Sequence, residues 1–582
     1  MNSWRLLFAA AVLTGCGSEI GAPGGDGGMG AGAQGAGAKT GTGATTGTGA
    51  TTGGGAGGTG GSLGGPGPAC TPGVATTSQV ARLTNAQYDA TIKELFGIET
   101  LTSGGTPSNL LAADQGGGLT DVGWAGYKTV GEALAAQIMA DPTAKGKFMT
   151  CDPAQATCLH DTAVAFGRKA FRRPLSPEEL AAFDAVIAAG PDITATGAPA
   201  EVAEALLYMF LISPSFIMRE EVQDSPDGAN HYNLSYYEVA SRLSFMLWNS
   251  APDDALNQAA DKGELGTPEQ ILAQAQRMVM DPKARDMTQA FHRYYMLMGL
   301  NTRWDNTNKD SSIYPAFQKS MVPQLQEETE MFLDNIVFTK KGSFTDMLTS
   351  TTAFVSASTA PLYGLATTGL GAGLTETTIP DRPGFLTRLG FLNAYSGYSG
   401  TSPILRGAFI TKQVLGIAIG APPPGAEQTP LPASSDVLDT NRKRYAELTK
   451  GADCKGCHTP FVNPPGFALE AFNTVGTWQT VEHDTMKPID STADIALDDT
   501  GTNTVHVTGP ADLMQAIAMA PGAKTQYASK WVSYAYQRES APDDACTVQQ
   551  IAAKMTDSSY SVLNLMTDLT QTLSFRVRTA EP

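Results

Sequence analysis

The stretch LSYYEVASRLSFMLW, Leu234 to Trp248, decides the fold class. Ser235 and Glu238 have the S-x-x-E spacing of a capping box, which satisfies orphan N–H groups at a helix start. Behind it Val239, Leu243, Met246 and Leu247 recur at helical spacing and mark one buried face. The same punctuation recurs along the chain. Thr84 and Gln87 open a helix that buries Tyr88, Ile92, Leu95 and Phe96 before Gly97 stops it. Ser176-Pro177-Glu178-Glu179 and Thr267-Pro268-Glu269-Gln270 add proline at the first helical position. Val202 to Ile212 is apolar nearly all round, which predicts a buried helix. Ala511 to Val577 is also helical text, with Leu513, Ile517, Val562, Leu563, Leu565 and Met566 as core candidates. Strands are expected only where β-branched residues cluster, at Thr352–Val355 and Thr500–Val507. The expected fold is mainly α: a multi-domain helical array with few short strands.

At 582 residues the chain is too long for one core. Its net charge of −18 argues against a nucleic-acid partner. It also argues against docking on anionic lipid, and leaves room for a basic redox partner. Arg5 followed by the apolar run Leu6 to Leu13 has the parts of an export signal, and is too short to span a bilayer. Gly17 to Pro68 is glycine-, alanine- and threonine-rich and lacks the side chains for a core; it reads as a flexible tether with a reach of roughly 40 Å. Pro422-Pro423-Pro424-Gly425 reads as a stiff connector, and Pro464-Pro465-Gly466 as an enforced turn.

The chemistry concentrates in GADCKGCHTPFVNPPGFALEAFNTVGTWQ, Gly451 to Gln479. Cys454, Cys457 and His458 form C-x-x-C-H, the pattern of covalent c-type haem attachment. Positions i, i+3 and i+4 share a helix face, so two thiols and one imidazole can address a single porphyrin. The thiols would anchor haem c as thioethers, and His458 would be the proximal iron ligand. Met486, in loop-like text, is the first choice for the distal ligand. His483, His506, Met514 and Met519 follow, the last two reading as core fillers, and an open sixth position is the remaining possibility. The same cysteines could instead form a short disulfide. A zinc site is the weaker reading, because no second ligand pair is near.

Elsewhere the signals are thin. SGYSGTS, Ser396 to Ser402, misses the nucleophile-elbow pattern because Thr401 replaces its last glycine. His160, His231 and His292 stand alone and read as structural. Asp253-Asp254 and Asp498-Asp499 have the residue type for calcium ligands or glycosidase carboxylates, but lie in turn-like text and read as solvated loops. Arg168, Lys169, Arg172 and Arg173 form a basic patch suited to neutralising carboxylates or meeting another module. Rossmann and P-loop glycine signatures do not occur.

Two family resemblances add to this. Leu13-Thr14-Gly15-Cys16 resembles the bacterial lipoprotein box, which implies cleavage before Cys16, acylation of Cys16, and a lipid-anchored place in the cell envelope. With Cys16, Cys454 and Cys457 so used, Cys70, Cys151, Cys158 and Cys546 remain, and four cysteines allow three pairings. The closeness of Cys151 and Cys158 favours one local bridge, leaving Cys70 with Cys546.

The second resemblance covers nearly everything from Val80 to Arg578. The chain resembles exported planctomycete and myxobacterial proteins that string together domains of unknown function 1587, 1595, 1592, 1588 and 1585. ARLTNAQYDATIKELFG resembles the first, FGRKAFRRPLSPEEL the second, and LSYYEVASRLSFMLWNSAPDDAL the third. TSPILRGAFITKQVLGIAIGAPPPG with the C-x-x-C-H segment resembles the fourth, and SVLNLMTDLTQTLSFRVR the fifth. The resemblance implies a redox role only through cytochrome c modules carried by some members. The chain departs from the family where Asn463 and Asn473 replace a usual aspartate and Gln479 a usual arginine. Those changes put a polar-network role at these positions in doubt.

The expected organisation is a signal (1–15), a lipidated tether (16–78), helical modules (79–150, 151–225 and 226–375), a cytochrome-c-like C-x-x-C-H module (376–495) and a C-terminal helical module (496–582). The leading expectation is electron transfer in the envelope. The alternatives are a non-haem surface protein for adhesion or polymer handling, and an oxidoreductase with an open haem site.

Overall fold

The computed structural model describes residues 70–77, 80–112, 119–223, 225–299, 302–305 and 307–579. The expected signal, the Cys16 lipidation site and nearly all of the tether lie outside the described residues. Helices dominate what is described, and the strands are short and antiparallel.

The capping signals act where the sequence places them. Reciprocal boxes open Asn85–Phe96 at Thr84, Pro177–Ile193 at Ser176, Tyr236–Trp248 at Ser235 and Pro268–Met278 at Thr267. Each box satisfies two N–H groups that a bare helix start would leave unpaired. Pro199–Ile212 is buried along most of its length, as an all-round apolar helix must be.

Apolar faces gather into two large cores. The first runs from Tyr88 to Ile217 and is filled by aromatic rings, with Phe183 stacked on Phe210 at 4.1 Å. The second runs from Leu234 to Phe575, with Phe291 stacked on Trp531 at 3.7 Å near its centre. This core crosses the expected module boundaries near residues 376 and 496 without a break, so those modules share one interior. A smaller cluster joins Leu325, Tyr363, Leu389 and Val475.

The ends of the chain are sewn into this body. Val80–Arg82 pairs antiparallel with Met218–Glu220, and Val577–Thr579 pairs with His231–Asn233. Disulfides join Cys70 to Cys546 and Cys151 to Cys158. The first closes a loop of 476 residues and so removes much chain entropy from the unfolded state. Thr352–Val355 forms a strand as expected, paired with Thr375–Thr378. The expected strand at Thr500–Val507 is shorter, Thr504–Val507, because Asp498 accepts hydrogen bonds from both the N–H and hydroxyl of Thr500 and makes a turn there.

The basic patch does both expected jobs. Arg173 makes a fork with Glu179 and reaches Glu220, while Arg168 crosses to the exposed Asp261 at the end of the helix Asp254–Asp261. Arg172, buried, spends its guanidinium on backbone carbonyls of Ala170, Ser215 and Phe216. The three lone histidines are also satisfied: His160 by Asp184, His231 by Asp227 and His292 by Tyr527. Asp253 caps the helix Asp254–Asp261 and pairs with Arg277.

One buried carboxyl gives a pH prediction. Glu328 is fully enclosed, accepts the Tyr363 hydroxyl and lies 3.9 Å from Arg388. Burial outweighs the attraction of Arg388 and pushes its carboxyl up to about 7. A carboxyl raised on folding favours the folded state at low pH, and stability falls as pH rises from its ordinary range through about 7. Glu328→Gln keeps a carbonyl for Tyr363 and removes the titration. Melting wild type and variant at about pH 5 and about pH 8 is expected to show the larger pH-driven loss in wild type. Equal losses would refute it.

Candidate functional site

The C-x-x-C-H segment folds as three short helical pieces in series. Asn441–Leu448 begins at its cap Thr440, Ala452–Cys457 carries both cysteines, and Asn463–Ala468 follows. The expected turn at Pro464-Pro465-Gly466 is a helix start instead. Proline in a first turn lacks only an N–H that has no intrahelical partner there, so Pro464 and Pro465 begin the helix rather than break it.

Between the last two pieces, His458–Val462 forms a wide π-turn closed by the Asn463 N–H on the His458 carbonyl. In a regular α-helix, side chains five residues apart point about 140° away from each other. The wider turn brings them together. Asn463 Oδ1 lies 3.0 Å from His458 Nδ1.

The direction of this bond follows from its neighbours. The Thr449 hydroxyl donates to the Tyr445 carbonyl at 2.8 Å, so its oxygen is left to accept. Asn463 Nδ2 donates to it at 2.8 Å, which turns Asn463 Oδ1 toward the imidazole. His458 Nδ1 must then carry the proton, and Nε2 keeps its lone pair. Asn463 and Thr449 are buried while His458 is half-buried, so a buried amide orients a partly exposed ring.

Cys454 and Cys457 are both half-buried free thiols, so the alternative Cys454–Cys457 disulfide is not formed in this structure. Among the described residues no group of three His, Cys, Asp or Glu side chains converges to hold a metal ion. By its chemistry the donor set suits a haem better than a bare ion: two free thiols for thioethers and one imidazole for iron, where a bare ion needs about four ligands.

The distal candidates are scattered. Met486 stands exposed at a surface turn with φ 53°, its N–H on the Glu482 carbonyl. His483 is exposed, and His506 is exposed and paired with Asp494 at 2.9 Å. Met514 is fully buried in the second core, as a filler should be. Met519 was expected beside it but is 75% exposed, because it lies at the end of its helix, past the buried face.

The family departures keep polar roles. Besides Asn463, Asn473 Oδ1 accepts from the N–H groups of Val475 and Thr477, and Gln479 Nε2 donates to the Glu470 carbonyl. The doubt about these positions is corrected: an amide offers an acceptor to N–H groups as a carboxylate does, and Gln479 donates to a carbonyl without needing a charge.

Sequence reasoning missed the support beneath the site. Arg406, fully buried, donates to the carbonyls of Leu469, Phe472 and Asn473 and to Ser396 Oγ. Glu470 accepts from Thr401 and Asn441, and Glu482 holds the Asn441 N–H. A charge inside the apolar run of TSPILRGAF was the available signal, since a buried guanidinium needs acceptors close around it.

Four family models match. Residues 158–221 match Protein of unknown function (DUF1595) and 234–365 match Protein of unknown function (DUF1592). Residues 382–482, which contain the C-x-x-C-H segment, match Protein of unknown function (DUF1588), and 504–575 match Protein of unknown function (DUF1585). The resemblance of Ala81–Gly97 to domain 1587 is not among these matches. No curated protein and no solved structure matches the chain.

Proposed function

This chain belongs to the multi-domain series built from domains of unknown function 1595, 1592, 1588 and 1585, and from that premise we propose that it is a c-type haem protein of the cell envelope. Cys454 and Cys457 would hold the macrocycle through thioethers, and His458 Nε2 would ligate iron. The bound group would supply one-electron chemistry, and electron transfer with a partner protein is the role proposed. Cys16 would carry the lipid anchor. The observation that carries this reading is the bond series Tyr445–Thr449–Asn463–His458. It fixes the imidazole in the tautomer whose Nε2 is free to ligate.

The test is expression with a c-type maturation apparatus, followed by denatured reduced pyridine spectra and intact mass. Covalent haem is expected in wild type and its complete loss in Cys454→Ala/Cys457→Ala. Wild-type protein that stays free of haem despite competent maturation would withdraw the redox reading and move the protein to the adhesion class. The native spectrum separates methionine, histidine and open ligation, and so tests Met486.

Asn463 gives a second prediction. In Asn463→Leu covalent haem is expected to persist while imidazole ligation weakens by about 10–100-fold, because the orienting acceptor is gone. Asn463→Asp retains an acceptor, strengthens donation from the ring and is expected to lower the midpoint potential. Potentiometric titration of the three proteins checks this, and identical potentials and spectra would refute the positioning role.

A further inference from the structure

The two cores meet at a seam made by the strand pair Val80–Arg82/Met218–Glu220 and the end of the helix Pro521–Tyr536. In that seam lies a cavity of about 140 Å³, room for several waters or one small oxyanion. Among the described residues Arg219, Arg242 and Arg538 line it, with Glu221 as the lining carboxylate. Glu221 is already engaged by a fork from Arg242, at 2.6 Å to each oxygen. Arg538 is paired with Asp544 behind it.

Among the described residues Arg219 is the lining guanidinium with no ion pair to a carboxylate. It is 8% exposed, and its Nη2 donates to the Gln537 side-chain oxygen at 2.7 Å. Its Nε has no hydrogen-bond partner. Arg538 Nε and the Thr77 hydroxyl, both buried and both on lining residues, also have none. Buried donors left unpaired are costly, and a buried cation without its counter-charge is costlier still. An oxyanion in the cavity would supply negative charge among three guanidinium groups and accept from those N–H groups that face it.

We propose that this seam cavity is a binding site for a small oxyanion, a phosphate or carboxylate group, held by Arg219 with Arg538 and Thr77. The site is separate from the C-x-x-C-H segment and does not depend on haem loading. Its occupant bridges the two cores, so binding stabilises their junction by mass action.

Isothermal titration of the full exported protein with inorganic phosphate, with acetate, and with chloride at matched ionic strength tests the proposal. Saturable binding of phosphate or acetate, with a raised melting temperature and no response to chloride, is expected. Phosphate alone would assign a phosphate group, and acetate alone a carboxylate. Arg219→Gln is expected to weaken binding by at least about tenfold. If Arg219→Gln does not fold, Thr77→Val is the second variant, with weaker binding expected at unchanged fold. No saturable binding of either oxyanion by wild type, or equal affinity in every variant that folds, would overturn it.

Discussion

Gly407→Ala and Gly466→Ala are each expected to abolish folded protein. The helices Pro403–Phe409 and Asn463–Ala468 cross with their backbones in contact. A Cβ on Gly407 would lie 1.7 Å from the Val462 carbonyl oxygen, and one on Gly466 would lie 2.0 Å from that of Pro403. Neither obstacle is a side chain that can rotate away; both are backbone. Relief requires the helices to separate, which opens the core around Ala468 and Leu469. The cost is expected to exceed about 3 kcal/mol, the upper end of ordinary overpacking. Yield of soluble protein and the thermal melt measure it. A melting temperature within a few degrees of wild type would refute the contact. Haem loading would be lost with the fold in either variant, so this result bears on the scaffold and not on the cofactor.

Arg406→Met is expected to cost about 3–5 kcal/mol, comparable to breaking a buried ion pair. The arginine holds the carbonyls that end the helix Asn463–Ala468, and with them the loop through Asn473. Burial already pulls its guanidinium down to about 10, yet it remains charged at any working pH. Methionine fills much of the space but leaves those carbonyls unpaired and Glu470 without its cation. Burial holds the Glu470 carboxyl above the ordinary range even with Arg406 present. Without Arg406 it rises further, so stability falls more steeply as pH rises in the variant than in wild type. Melts at about pH 5 and about pH 8 separate this electrostatic loss from simple loss of packing, which would be equal at both.

The order of the helices was legible because helix starts are local. Thr84, Ser176, Ser235 and Thr267 each act on N–H groups three residues away, so the chain needs no tertiary contact to announce them. The C-x-x-C-H triplet was legible for the same reason, since its spacing is a property of one helical turn. The two disulfides match the pairing favoured once the lipoprotein resemblance and the C-x-x-C-H pattern set three cysteines aside, although three pairings stayed open.

Other features depend on distant partners. Pro464-Pro465 reads as a turn until the preceding π-turn supplies a helix for the prolines to begin. Asn463 reads as a lost charge until Thr449 and His458 stand on either side of it. Arg406 reads as an interruption until carbonyls some sixty residues later close around it. Helix starts and the C-x-x-C-H spacing could be read from the chain alone, because both are written within a few positions. The imidazole's tautomer, the backbone contact at Gly407 and Gly466, and the arginine-lined seam emerge only once the chain is folded. Each of those rests on groups far apart in the chain, and no local pattern records which of them will meet.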